Sequence, residues 1–382
     1  MNWKDILTKS AKWSMANLKL VIFCGLTALV TWNVRGCLVP VIGAEQHGMG
    51  WLDEPEYVAN EVKSLKLPYF GDAGKDLILK EEDRDAFLWK AYEQSFGHPW
   101  VAHNQNGTGC CVGEGFASAV ELLQGAEKIN GENQDCKEIC SASMYALSRE
   151  VGKMLGGRDG SRGINAAKAL TTLGCVSCEE AGTENSSGKA HAAVAKRWGS
   201  SGIPEKLRPL LRKVKTASLV RTPEEVRSAV VNWYPVAICS NVGFGTYRNE
   251  DIPEPRNADG LVRPYGTWPH CMCVAGYRAD KKWFLILQSW GENTPSGPTT
   301  LGQPNCSFWV DWKTMQKIVG QGESYALSSF DGYKPRDLNV FVQAPASRSV
   351  AARAMLESIP SPITTGRGKV PCLLELFFLS RF

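Results

Sequence analysis

Apolar residues beyond position 111 fall at Val112, Phe116, Ala119, Val120 and Leu123, the spacing of one helical face, and predict a helix beginning near Cys111. The stretches "SASMYALSREVGKML" (141–155) and "GINAAKALTTLG" (163–174) predict two more, separated by the glycine-rich turn "GGRDGSR". Residues 186–210 show no clear period and read as irregular. Over 222–233 the pattern gives a short helix, with Thr222 and Glu225 as a capping box, Pro223 in its first turn, and an apolar face of Val226, Ala229, Val230 and Trp233. Strand patterns follow at 235–242, 271–277 and 283–290, the last two joined as a hairpin by "RADKK". Pairing Tyr277 with Trp283 across that turn sets Met272 opposite Gln288 and His270 opposite Trp290, so these four share one face. No internal repeat interrupts the order. A helical half followed by a β-rich half makes the chain α+β, with room for a cleft between the halves.

The flanks differ from this middle. Leu20–Val34 is an uncharged run preceded by Lys4, Lys9, Lys12 and Lys19. It has the length of a signal-peptide core; extended to Ala44 around Arg35 it makes a short or tilted membrane helix. Lysines before it and acids after it predict an inside N-terminus, with the remainder translocated. No A-x-A cleavage site stands out, which favours an uncleaved anchor over residues 1–44. A buried helix of a cytosolic protein is the plainer alternative. Residues 45–88, with scattered charges, Gly and Pro, read as a linker or wrapping segment, with no helix predicted. From 336 to 382 periodicity is lost and a disordered tail is expected.

Composition adds exclusions. A net charge of +4 over 382 residues, with no basic stripe interleaved with aromatics, argues against a nucleic-acid binder. Thirteen cysteines are many, and the odd count leaves at least one unpaired. Cys136/Cys140 and Cys175/Cys178 admit a four-thiolate zinc site, disulfides or unlinked thiols. No metal or cofactor is assigned. Oligomeric state is not legible.

Two neighbouring cysteines, Cys110 and Cys111, stand where the turn formers Asn106, Gly107, Thr108 and Gly109 give way to the first predicted helix. A thiol there feels the positive end of the helix dipole, and a neighbouring imidazolium lowers its pKa further, so the place suits a thiolate nucleophile. Small buried packing residues, or half of a disulfide, are the alternative. A nucleophilic thiol needs a base. Of the five histidines, His47, His98, His103 and His191 lie in linker, loop or irregular stretches, whereas His270 begins a strand that can hold it rigidly. The hairpin register would let the Gln288 carboxamide accept the imidazole's second N–H while Trp290 keeps water from that bond.

These residues carry a resemblance. Gln105, six positions before Cys111, with Gly109 between them and a helix after, resembles the active-site stretch of papain-like cysteine peptidases. "HCMCVAGY" is similar to that family's histidine strand, and "QSWG" (288–291) to its "NSWG" signature. The segment 141–182 is similar to bacterial members. The likeness covers roughly 90–330, in the order Cys, His, amide. It implies a two-lobed fold over 89–335, with a helical N-terminal lobe, a β-rich C-terminal lobe and the active site in the cleft. It also implies acyl transfer on a protein or peptide substrate: Cys111 as nucleophile, His270 as base and acid, Gln288 orienting His270, Trp290 shielding it, and an oxyanion hole made by the Gln105 side chain and the Cys111 N–H. Cys110 falls where the family commonly has serine.

Departures are visible. Gln288 replaces the usual Asn and is one methylene longer. Glu114 follows the nucleophile by three residues, where it either raises the thiol's pKa or is solvated. The family's substrate-binding glycine pair maps loosely onto Gly160 or Gly163. The competing readings are a catalytically inactive papain-like binding domain, a zinc-stabilised module, and another thiol hydrolase, an amidase of cell-wall-hydrolase or transglutaminase-like type, which would nominate His191 as the partner.

Overall fold

The computed structural model describes residues 49–77, 84–132 and 135–336. The expected anchor at 1–44 lies outside these, as does the expected tail beyond Arg336. No helix among the described residues is long and apolar enough to cross a membrane.

The strands are β1 (Ala86–Phe87), β2 (Thr216–Leu219), β3 (Val236–Val242), β4 (Gly245–Thr246), β5 (Asn249–Pro253), β6 (Thr267–Arg278), β7 (Trp283–Leu287), β8 (Ser307–Val310) and β9 (Glu323–Ser328). The main sheet runs β2-β9-β3-β6-β7-β8 with β1 added on β6, and β4 and β5 pair separately. All pairs of named strands are antiparallel. The first predicted helix spans Cys111–Ile129 and is buried along almost its whole length, packed between the sheet and the other helices. The next two form at Ser141–Val151 and Gly163–Thr172, and the capped one at Pro223–Val231. Its capping box is only half made. Thr222 Oγ1 accepts from Glu225 N at 3.2 Å, but the Glu225 carboxylate turns to Arg221 N at 2.6 Å.

Two stretches depart from expectation. Within the region read as irregular, Lys189–Ser201 is a helix whose buried face is His191, Ala192, Ala195, Trp198 and Gly199. That face is built largely from small residues and carries little hydrophobic signal. In the wrapping segment, Pro55–Leu65 is a helix with Val58 buried and Tyr57, Val62 and Leu65 against the core. No helix was expected there; the apolar spacing is present but diluted by three charged residues, Glu56, Glu61 and Lys63.

The hairpin shows how register is set. Arg278, not Tyr277, pairs with Trp283, one residue away from the expected alignment. A bulge at Ala275 then absorbs the offset, so that Cys273 pairs with Leu287. The Cys273–Leu287 pair restores the alignment read from the sequence, and the β6–β7 pairing ends there.

Candidate active site

Cys111 opens the long helix, and Cys110, at its N-cap, is also buried. Burial pushes the Cys111 thiol well above its ordinary value, the neighbouring Cys271 sulfur adds to this, and hydrogen bonds from the backbones of Cys271 and Gly50 only partly offset them. The first of those contacts locates it. Its sulfur lies against β6 at the residue that follows His270. The His270 ring is buried and lies 4.7 Å, centroid to centroid, from the Trp290 indole at 31°, with Trp268 edge-on to Trp290 at 4.6 Å. The indole therefore covers the imidazole from one side.

Gln105 is fixed by the "QSWG" segment. Its backbone N donates to Ser289 O at 2.9 Å, Ser289 Oγ donates to its Oε1 at 2.7 Å, and Asn104 bridges Trp290. With Oε1 so held, the Nε2 group faces the turn and donates to Thr108 O at 2.7 Å. Ser289 was missed in the sequence, although it sits in the middle of the motif. Gln288 behaves otherwise than expected. It stands one residue past the end of β7, its Nε2 donates to Thr294 O at 2.7 Å, and its Oε1 makes no hydrogen bond, so the expected bond to His270 is not formed.

Glu114 is neither solvated nor unpaired. His103 bridges it and Glu121, with Nδ1 3.1 Å from Glu114 Oε2 and Nε2 3.3 Å from Glu121 Oε2, all three residues buried. Burial alone would lower the His103 pKa, but Glu121 and Glu114 outweigh it and raise it to about 10. Burial likewise opposes ionisation of Glu114, and the bonded imidazolium prevails, holding it below the ordinary carboxylate range. The carboxylate beside the helix start is thus balanced by a cation.

The chain's own segment 50–52 occupies the groove. Gly50 O accepts from Ser161 N at 2.8 Å, Leu52 N donates to Ser161 O at 2.9 Å, and Trp51 N donates to Pro269 O at 3.2 Å. Ser161 belongs to the helical half and Pro269 immediately precedes His270, so both walls grip the extended segment. Trp51 Nε1 donates to Glu323 Oε2 at 2.9 Å, and Glu54 pairs with Arg158 at 2.7 Å and with Arg162 at 2.5 Å. Glu323, buried, is pushed up to about 7 by burial, against hydrogen bonds from Trp51 and the Gly163 and Ile164 backbones. A Cβ on Gly50 would stand 2.0 Å from Gly109 O, so only glycine permits this approach. The wall that presents Ser161 is organised by Arg149, buried, whose guanidinium donates to the carbonyls of Met154, Gly157, Arg158, Gly160 and Gly199. Of the two loosely mapped glycines, Gly160 precedes the gripping residue and Gly163 N donates to Glu323 Oε2 at 2.6 Å.

A second Cys–His group stands elsewhere. Cys140, Cys178 and His191 are buried with their ligating atoms within 4.8 Å of one another. His191, the base of the rival hydrolase reading, is thus placed beside Cys140. Cys136 and Cys175 are outside this group, their thiols directed to Gln124 O and Arg212 O, so the four-thiolate site is not assembled.

No family model and no curated protein matches the chain. Solved structures do. Xylellain, a cysteine protease from Xylella fastidiosa, aligns at 15% identity over 75% of this chain and 97% of its own, with a TM-score of 0.52. Proximity in fold is weaker for procathepsin B from Trypanosoma congolense (13% identity, 78% and 90% covered, TM-score 0.48) and procathepsin L 3 of Tenebrio molitor larval midgut (12%, 75% and 77%, 0.45). With its long buried helix set against an antiparallel sheet, the chain has the α+β papain-like fold that it shares with xylellain.

Proposed function

We propose that the chain is a cysteine-type peptidase that hydrolyses peptide bonds through Cys111 and His270. The observation that carries this reading is the segment 50–52, an extended peptide hydrogen-bonded by Ser161 and Pro269 and laid against the nucleophile. A groove that grips main chain from both sides takes polypeptide whatever its side chains. Once that segment leaves, the sulfur loses part of its burial and the thiolate becomes accessible beside the imidazolium. Attack on a peptide carbonyl gives a tetrahedral oxyanion, received by the Cys111 N–H at the helix start and the Gln105 Nε2 group. His270 protonates the leaving amine, and water then releases the acyl group. The Ser289 bond holds Gln105 in place, and Trp290 keeps the imidazole dry. Placement of the catalytic body outside the cytoplasm, tethered through residues 1–44 or secreted, belongs to the same proposal.

An epoxide-type cysteine-peptidase probe tests it, with Cys111→Ala, His270→Ala and Cys140→Ala as separate variants. Labelling abolished by the first and reduced at least a hundredfold by the second supports the assignment. Labelling unchanged in both would sink it, and loss in Cys140→Ala alone would move the nucleophile to the second Cys–His group.

A further inference from the structure

The second cysteine cluster carries its own chemistry, independent of the cleft. Cys140 immediately precedes the helix Ser141–Val151, and Cys178 is the first residue of the short helix Cys178–Ala181. The chain segments leading to them are zipped antiparallel. Ile139 bridges Ser177, Cys140 N donates to Val176 O at 2.9 Å, and Cys178 N donates to Glu138 O at 2.9 Å. The two cysteines therefore flank one bridge on opposite strands, and their sulfurs lie within 4.8 Å of each other, buried.

A metal is the first thing such a group suggests, and the histidine argues against it. His191 Nδ1 lies 2.9 Å from Glu184 O and so carries the hydrogen. Its Nε2 accepts from Ala142 N at 3.1 Å and lies 2.8 Å from Ser141 Oγ, which places it as the cap of the helix Ser141–Val151. Both nitrogens are spent on the chain, leaving two thiols and no third ligand from His191.

We propose that Cys140 and Cys178 are a disulfide-forming pair, closed by exchange with an external disulfide so that the start of the helix Ser141–Val151 is stapled to the segment at Cys178. The Cys140 thiolate attacks one sulfur of an external disulfide, which leaves as a thiolate. The Cys178 thiolate then attacks the Cys140 sulfur and expels the second external thiolate. Two protein thiols are oxidised to one disulfide, one external disulfide is reduced to two thiols, and the two protein protons end on the released thiolates. Cys140 suits the attacking role. Its thiol is drawn below its ordinary value by the hydrogen bond from Cys178, which outweighs burial, with help from the Thr183 hydroxyl. Such a staple suits an oxidising compartment and lowers the entropy of the unfolded chain.

The full chain is incubated with oxidised glutathione, denatured with iodoacetamide present and no reductant, digested, and analysed by mass spectrometry. The expected result is a linked peptide joining Cys140 to Cys178, two hydrogens lighter than its reduced halves. The melting temperature of the oxidised protein is expected to exceed that of the reduced protein by several degrees, with the difference abolished in Cys178→Ser. Recovery of both cysteines alkylated, or one zinc ion per chain retained by both thiols, overturns the proposal. So does a melting temperature in the wild type that is the same with and without reductant.

Discussion

At the scale of single residues, the long buried helix is notable for how its acids are answered. Glu114 and Glu121 share His103, and Glu127 meets Arg336 at 3.1 Å. Breaking a buried pair costs far more than forming it gains, because the remaining charge is stranded. His103→Gln is therefore expected to destabilise the fold by about 3–5 kcal/mol in urea titrations. The pH dependence has a defined sign. His103 titrates near 10 in the fold against an ordinary 6.5, so its contribution is complete below 6.5 and disappears as pH rises toward 10. Glu114, held below its ordinary 4.5, contributes above that value and loses its share on further acidification. The urea midpoint of the wild type should fall between pH 7 and 10, and His103→Gln should flatten that fall. In the cleft, Gln105→Ala should lower kcat/KM about 10²–10³-fold, the cost of one oxyanion donor. Gln288→Ala should cost less than tenfold, since its oxygen makes no bond; a loss matching that of His270→Ala would show that the amide turns toward the imidazole during catalysis.

At the scale of elements, legibility followed hydrophobic contrast. The helix at Cys111 and the strands at 236 and 271 stand out because large apolar residues recur at fixed spacing, and Cys111 and His270 were nominated from where those elements begin. The helix Lys189–Ser201 buries mainly alanine and glycine, and Pro55–Leu65 mixes its apolar face with charges, so neither pattern was strong enough to read. A bulge leaves no trace in a two-residue alternation, and Ala275 stayed hidden while the register it restores was read correctly. Ser161, Pro269 and Glu323 act through backbone or from distant segments, and no local motif announces them. The segment 50–52 is the element with the most direct test. Gly50→Ala drives a Cβ into Gly109 O, so the segment must lift and uncover Cys111. Iodoacetamide at neutral pH is expected to modify Cys111 at least tenfold faster in Gly50→Ala than in the wild type, with Cys110 unaffected; equal rates would mean that the segment does not guard the sulfur.

For the molecule as a whole, one large apolar core runs through the sheet, the long helix and the segment 51–77, while a smaller cluster around Tyr145, Leu147 and Trp198 sits in the helical half. Smaller cores open first. Hydrogen exchange is expected to be faster over Ser141–Val151 and Lys189–Ser201 than over β3 and β6, by at least tenfold; uniform protection would show a single cooperative unit. The occupant of the groove, segment 50–52, is covalently joined to the same chain. A tethered ligand competes at an effective concentration of about millimolar, whatever the bulk dilution. A free peptide present at micromolar levels would be outnumbered roughly a thousandfold in its own binding cleft. Turnover by the intact chain would then be governed by how often residues 50–52 let go, and a single cut in the connection to the helix Pro55–Leu65 would convert a permanent resident into a ligand that dilutes away.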